Sequence, residues 1–325
     1  MASAHLPPHL TSTPGTPEDF PRLAAFFSAA HPDRPVTVSE LERLRQQRVP
    51  GEVSETSLFE QNGELVGVTE IGTPHMDGHS GWLRLDVTIK PGLEMIVLPV
   101  QLLAFAESRA WQLGAHTFTT SIREDWWEKT FLEQHGYAEH DRRWQSVLDL
   151  RQIDFQQFQA REAQAQASGI QIKPLSELGE FDEANQRKLY DLMSAVLADV
   201  PSTTPISVWE FPVWQQRLIP QLHPEGMFIA VTPPGEWVGL SALYQPIESR
   251  PGTLHNGLTG VVAAWRGHSI GLALKLAAAR AALQRGFTHS RTTNHSINRP
   301  MLAINEKMGF QKESASVTMI KRVHA

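Results

Sequence analysis

Apolar residues recur along this chain at helical spacing in some stretches and at every second position in others, and the two kinds of stretch alternate. The segment TPEDFPRLAAFFSAA places Thr16 as an N-cap, Pro17 at the first helical position and Glu18 and Asp19 in the first turn. Apolar residues at helical spacing follow, so an amphipathic helix is predicted. ETSLFEQNGELVGVTEI predicts two strands around the Asn62-Gly63 turn, and GWLRLDVTIK alternates as a further strand. LPVQLLAFAESRAWQLGA predicts a helix stopped by Gly114, HTFTTSI a strand, and DWWEKTFLEQHGY a helix closed by Gly136. The stretch RQIDFQQFQAREAQAQASG is polar and rich in Gln and Ala, and predicts a connecting helix rather than a core element.

Beyond that connector the pattern repeats. FIAVTPPGEWVGLSALY predicts two strands around a Pro-Gly turn, LTGVVAA a strand, and GLALKLAAARAALQRGF a helix ending at Gly286. HSRTTN predicts a strand and RPMLAINEKMGF a helix ending at Gly309. The order helix, helix, strand, hairpin strand, strand, helix, strand, helix occurs twice. Gly286 lies 172 residues after Gly114, and Gly309 lies 173 after Gly136. A register held over several elements predicts two like α/β (α+β) domains in tandem. The expected boundaries are 1–150 for the first domain, 151–168 for the connector and 169–325 for the second.

Length agrees, because 325 residues exceed one ordinary core and suit two. With 41% hydrophobic and 20% charged residues the composition is that of a globular protein. The formal net charge of −6 and the lack of any Lys/Arg run argue against a nucleic-acid partner. There are 0 cysteines, which excludes disulfides, thiolate nucleophiles and Cys-ligated zinc, and fits a reducing cytoplasm. MASAHLPPHLTSTPGTPEDF has no basic and apolar signal-peptide regions, and MIVLPVQLLAFA is far shorter than the roughly 20 residues of a membrane span. The expectation is a soluble cytoplasmic protein with no membrane partner.

Between a predicted strand and a predicted helix stands Arg266-Gly267-His268-Ser269-Ile270-Gly271. Backbone N–H groups at a helix N-terminus, glycines that permit close approach and an arginine make a phosphate cradle, although an ordinary strand-to-helix turn uses the same residues. This stretch resembles the phosphate loop of the GNAT superfamily of N-acyltransferases, whose pattern R/Q-x-x-G-x-G/A is met here by Arg266 and Gly271, with Ser269 in place of the first glycine. TTNHSINRPMLAINEKMGF resembles the family's fifth strand, an Asn-bearing loop and the helix ending in Gly-Phe. The element order of 170–325 is similar throughout, and that of 10–150 more loosely. Tandem members of the mycothiol synthase type have the most similar architecture.

The resemblance implies two tandem GNAT-like domains, each a mixed, mostly antiparallel sheet flanked by helices. It implies acetyl-coenzyme A as cosubstrate, with no metal, and a small-molecule or peptide amine as acceptor, in a monomer or homodimer. The coenzyme would be held by Val261, Val262 and Ala263 on the fourth strand, by Arg266, Gly267, His268, Ser269, Ile270 and Gly271 in the loop, and by Asn294, Asn298 and Asn305 beyond it. Backbone N–H groups around Val261 to Ala263 would hold the oxyanion. Ser269 fits the loop if its φ is negative, and its hydroxyl can donate to a phosphate. Asn305 stands where the family commonly carries a tyrosine as general acid; an amide can hydrogen-bond sulfur but does not supply a proton.

Tyr244 is then the better placed acid of the second copy, or else a packed strand aromatic. Glu248 and His255 are candidates for the base, or solvated turn residues. Asp199 and Glu210 could bind a cationic amine, with Trp209 and Trp214 as walls; helix caps and core aromatics are the alternative. At an offset of 172, Arg266, Ser269 and Gly271 fall on Glu94, Val97 and Pro99, a carboxylate and a proline that spoil the loop. The first copy is therefore expected to bind no coenzyme and to act structurally, by burying part of the other domain, shaping its cleft or presenting a dimer surface. A non-catalytic acyl-coenzyme A sensor or interaction protein is the alternative function. His75, Asp77 and His79 suggest a metal by spacing, but Asp77-Gly78 between strands is a hairpin turn, and no metal is expected.

Overall fold

The computed structural model describes residues 10–74, 80–95, 97–203 and 206–323. It divides into two compact units. One runs to Arg142 and takes up the chain again from Ser316; the other spans Arg143–Ala315.

The first unit begins with β1 (Leu10–Pro14), α1 (Phe20–Ala30) and α2 (Val38–Gln46). Thr16 and Asp19 form a capping box on a single turn before α1, and Thr37 with Glu40 forms one at α2. Then follow β2 (Ser54–Gln61), β3 (Glu64–Gly72), β4 (Trp82–Ile89), α3 (Leu98–Gln112), β5 (Thr117–Arg123), α4 (Trp127–Gln134) and β6 (Ala138–Asp149), which from Arg143 on belongs to the second unit. Asn62 and Gly63 join β2 to β3 with φ of 53° and 77°, the left-handed pair of a tight hairpin. Gly114 and Gly136 end α3 and α4 with φ of 87° and 85°.

The second unit continues with α5 (Gln159–Ala167), β7 (Gln171–Pro174), α6 (Glu183–Ala198), α7 (Phe211–Leu218), β8 (Leu222–Val231) and β9 (Trp237–Pro246). It closes with β10 (Thr253–Val261), α8 (Ile270–Gln284), β11 (His289–His295), α9 (Arg299–Met308) and β12 (Gln311–Lys312), and β13 (Ser316–Arg322) returns to the first unit. Each unit has a mostly antiparallel sheet with one parallel pair. The orders are β1-β2-β3-β4-β5-β13, parallel at β4/β5, and β6-β11-β10-β9-β8-β7, parallel at β10/β11.

The closing strands are therefore exchanged. β13 follows the second copy in sequence but pairs with β5, Ser316 opposite Arg123, while Arg143 of β6 pairs opposite His295 of β11. The expected boundaries at 150 and 168 put β13 with the second copy. The stretch 151–170, which includes the expected connector, is also more than a connector. Ile153, Phe158, Ala165 and Ile170 are buried with α8 in the core of the second unit, and Glu162 on α5 holds Arg280 through two hydrogen bonds of 2.5 and 2.8 Å.

The sheet of the second unit is covered on both faces. Leu254, Val261, Leu274, Leu276 and Met308 form the cluster under α8 and α9, and Leu192, Val196, Trp214, Ile229 and Leu240 the one under α6 and α7. Full burial of each such side chain contributes about 1.5–3 kcal/mol. Among the described residues no helix is long and apolar enough to cross a membrane.

Candidate functional site

β10 and β11 lie side by side over Thr253, Leu254 and His255 only, opposite His289, Ser290 and Arg291. β10 continues to Val261 without that neighbour. Its other edge stays on β9, but the register shifts twice. His255 faces Tyr244 and Gln245 of β9, and then Gly257 and Leu258 face Ala242 alone. The second irregularity is a bulge, which adds a residue to one strand and bends it. The strands thus part beside the bulge.

Past the bulge the pairing with β9 is regular, and the Val262 N–H donates to Val238 O at 2.9 Å. Alternation along an antiparallel pair then turns the N–H groups of Val261 and Thr259 away from β9, toward the gap. Of the three residues named on this strand, Val262 has spent its N–H on β9 and Ala263 opens a helical turn ending at Trp265. Only Val261 presents a donor to the gap.

The strand leads straight to α8. Gly267 has φ of 85°, and Ser269, the N-cap of α8, has φ of 61° and ψ of 8°. Ser269 does not have the negative φ that would fit it to the loop without strain; it is left-handed, in the conformation in which a glycine is free of strain, at a cost of about 1 kcal/mol. Its hydroxyl donates to Gln164 Oε1 on α5 at 2.8 Å. The first backbone bond of α8 is from Ala273 N–H to Ser269 O, and the N–H groups from Gly267 to Leu272 meet no acceptor among the described residues. Ile270 is in the core by its side chain, so the backbone is what it offers. His268 Nδ1 lies 3.3 Å from Trp265 O. Arg266 folds back: its Nε donates to Val261 O at 3.0 Å and its Nη2 to Asp199 Oδ2 at 2.6 Å. This fixes the carbonyl of Val261 and leaves the guanidinium about half exposed at the loop.

The groups that flank the gap fall on opposite faces of the sheet. On the α6/α7 face the Tyr244 ring is stacked with His255, centroids 5.8 Å apart at 22°. A Cβ on Gly257 would come within 2.3 Å of that ring, so the bulge needs glycine for Tyr244 to lie over it. Burial pushes the Tyr244 phenol up, opposed by a hydrogen bond from the Leu258 backbone. Tyr244 keeps its proton at neutral pH. Burial, with the charges of Lys275 and Arg291, pushes His255 down to about 4, so it is neutral and a poor base for an ammonium. Glu248 is exposed in the turn between β9 and β10, before the paired start of β10.

On the α8/α9 face Asn305 is 2% exposed. Its Nδ2 donates to Asn294 Oδ1 of β11 at 2.6 Å, and its own Oδ1 has no partner. Asn298 caps α9, accepting from Met301 N–H at 3.4 Å. Lys275, which sequence reasoning passed over, is 3% exposed on the same face and donates to Asn256 Oδ1 at 2.6 Å. Its signal was a lysine inside an otherwise apolar helix face, at the position where the first copy has Leu103.

The acceptor candidates lie along α6 and α7. Asp199, just past α6, is taken up by Arg266. Trp209 O accepts from Tyr190 Oη at 2.9 Å, and the Arg217 guanidinium sits 5.1 Å over the Trp209 ring. Glu210 is an exposed N-cap of α7, and Trp214 is a core side chain stacked on Phe211 at 5.7 Å. His75, Asp77 and His79 lie outside the described residues, among which no group of three or more His, Cys, Asp or Glu is placed to hold a metal.

No protein-family model matches the sequence, and no curated protein does either. Solved structures do match over nearly the whole chain. A tandem GNAT protein from the clavulanic acid biosynthesis pathway superposes with TM-score 0.75 at 16% identity, over 97% of this chain and 99% of that one. A GCN5-related N-acetyltransferase from Sphaerobacter thermophilus gives 0.73 at 18%, over 99% and 98%. This chain has the tandem GNAT fold. An acetyltransferase of the GNAT family from Colwellia psychrerythraea gives 0.60 at 13% identity, over 96% and 99%.

The first GNAT unit repeats the parting of strands without the rest. β4 and β5 pair in parallel over Trp82, Leu83 and Arg84 only, opposite Thr117, Phe118 and Thr119. β4 nevertheless pairs with β3 without a shift and has 8 residues where β10 has 9. Thr120 of β5 donates to Asp86 Oδ1 of β4 at 2.8 Å, and Arg84 Nε holds the other oxygen of Asp86 at 2.9 Å. Burial and the charge of Asp86 push the neighbouring Glu70 carboxyl up. At the start of α3, Glu94 receives the Gly92 N–H at 2.9 Å on each of its oxygens, and Pro99 has no N–H to offer.

Proposed function

We propose that the second unit is an acetyl-coenzyme A-dependent N-acetyltransferase acting on the primary amine of a small molecule or peptide. The observation that carries this reading is one strand, β10, which parts from β11 at a bulge and runs directly into a helix N-terminus rich in uncommitted N–H groups. A long thioester ligand with a pyrophosphate fits such a strand end: its arm can lie along the free edge of β10 as an added strand would, and its phosphates at α8. Bound acetyl-coenzyme A supplies an activated acyl carbon.

The protein's own residues then do three things. The N–H groups of the loop from Gly267 to Leu272 hold the phosphates, with Arg266 at the rim. The Val261 N–H holds the carbonyl oxygen as it gains charge, at a site fixed by the Arg266 bond to Val261 O. The amine nitrogen bonds to the acyl carbon, the carbon–sulfur bond breaks, and the amine's proton leaves to water. Tyr244 retains a proton on the α6/α7 face that it can share with the departing sulfur, while Asn305 offers none. The first unit, with Glu94 in its own loop and Asp86 bonded across its gap, binds no coenzyme.

Asn305 also favours a second reading, a sensor that binds the thioester without turnover. Thiol release from acetyl-coenzyme A across a panel of primary amines separates the two. Amine-dependent release is expected; binding with no release on any amine would leave the sensor.

A further inference from the structure

The α8/α9 face of the second sheet contains a run of buried polar side chains that acyl transfer, as described above, does not use. Lys275 Nζ donates to Asn256 Oδ1 at 2.6 Å. Asn256 Nδ2 donates to Ser241 Oγ at 3.2 Å and to Ala242 O at 3.1 Å, and Ser241 Oγ lies 2.9 Å from Thr259 Oγ1. Lys275, Asn256, Ser241 and Thr259 are 3, 3, 0 and 9% exposed. Burying an amine and an amide costs free energy unless their bonds are made, and it returns less than an apolar pair of the same size.

The position of this network explains its presence. Asn256 is the last paired residue before the β10 bulge and Thr259 the first after it, while Ala242 is the single β9 residue opposite. At a bulge the ladder is locally disrupted. The Asn256 amide gives the Ala242 carbonyl a side-chain donor there, and Ser241 ties Asn256 to Thr259 across the shift in register. Lys275 orients the amide by occupying its oxygen, which leaves only the NH2 side to face β9.

The first unit provides an internal control. Counted from the parallel pairing, Thr253 corresponds to Trp82, so Asn256 corresponds to Leu85; along α8 Lys275 corresponds to Leu103. Leu85 and Leu103 are 3 and 4% exposed in one apolar cluster, and β4 there has no bulge. An apolar pair thus accompanies the regular strand and a polar pair the bulged one.

We propose that Lys275 and Asn256 are a positioning pair that holds the β10 bulge, and through it the Thr259 and Val261 N–H groups, in the arrangement acyl transfer requires. The last clause rests on the functional reading given above. Neither side chain touches the reacting atoms; both act through the backbone of β10.

The test uses the full chain and three variants: Lys275→Met, which removes the donor at nearly constant shape; Asn256→Leu/Lys275→Leu, which rebuilds the pair of the first unit; and Lys275→Gln, which keeps an amide donor. Hydrogen exchange without any substrate is read first. The amides of Leu258, which bonds to Tyr244, and of Gly260 and Val262, which face β9, are expected to exchange about tenfold faster or more in the Met and double-Leu variants, with α8 still protected. In kinetics, kcat is expected to fall about tenfold or more while the KM for acetyl-coenzyme A changes less than about threefold, and Lys275→Gln is expected to recover most of kcat. Unchanged exchange at the bulge in both variants would overturn the proposal. So would losses in kcat, KM and α8 protection together that Lys275→Gln does not repair, since those mark plain packing. A wild type that transfers no acetyl group would refute the functional reading, and the pair's hold on the bulge would still be decided by exchange alone.

Discussion

In the first unit β4 and β5 part after Arg84, and a side-chain bond from Thr120 to Asp86 spans the gap; in the second, β10 and β11 part after His255, and β10 bulges at Gly257 and Leu258 beneath the Tyr244 ring. The helix that follows repeats the contrast. Glu94 gives the first loop a carboxylate of its own, whereas in the second loop the N–H groups from Gly267 to Leu272 meet no acceptor among the described residues. One backbone plan therefore serves two ends. Parted strands occur in both units, whereas the bulge, the loop with its open N–H groups and the buried polar pair occur together only in the second among the described residues.

The sharpest way to break this contrast is to give the second loop the residues of the first. Arg266→Glu/Ser269→Val/Gly271→Pro adds a carboxylate beside Asp199, a β-branched residue at φ of 61° and a proline among the donors. Calorimetry is expected to show coenzyme A affinity reduced about 100-fold or more, on the order of 3 kcal/mol, with far-ultraviolet dichroism retained. Retained affinity would mean that the loop does not distinguish the units.

Lys275 gives a contrast in pH. Burial pushes it from 10.5 down to about 7. Between those values the unfolded chain holds the proton and the folded chain does not, so folding strengthens as pH rises from about 7 toward 10.5; below about 7 both hold it and the penalty is complete. His255 is neutral across this range, and Arg291 is paired with Glu313. Urea unfolding of the wild type relative to Lys275→Met is expected to improve by about 2 kcal/mol between pH 7 and 9. A flat difference would place the Lys275 amine in a site as wet as the surface.

Gly257→Ala addresses the bulge from the other face. The added methyl would meet the Tyr244 ring at 2.3 Å, so ring or strand must shift. Turnover is expected to fall about tenfold, roughly 1.4 kcal/mol, with coenzyme affinity nearly unchanged. The smallest effect is expected in the first unit. Thr120→Val removes the bond across its gap and should lower stability by about 1 kcal/mol with no change in turnover. A loss of turnover there would show that the first unit takes part in the chemistry.

Much of this contrast was legible in the sequence, because glycines at Gly114, Gly136, Gly286 and Gly309 end helices at a fixed spacing and do so by a local left-handed turn. Glu94 and Pro99 were legible in the same local way, one accepting the Gly92 N–H and the other lacking an N–H of its own. The exchanged strands β6 and β13 were not visible, since pairing partners are chosen by tertiary contact and either strand pattern suits either neighbour. Asp199 read as an acceptor ligand because its partner Arg266 is 67 residues away in sequence. The sign of φ at Ser269 was not legible from residue type, because the loop imposes the glycine geometry. The bulge escaped notice because one added residue in β10 looks like a one-residue drift in register, although Asn256 and Lys275 facing Leu85 and Leu103 in the other copy carried its trace.

The central claim is that one unit of the two is built to bind the coenzyme, and titration calorimetry of the full chain with coenzyme A tests it most directly. The account predicts a single site per chain that disappears in Arg266→Glu/Ser269→Val/Gly271→Pro. Two equivalent sites, or one site that survives that substitution, would contradict it.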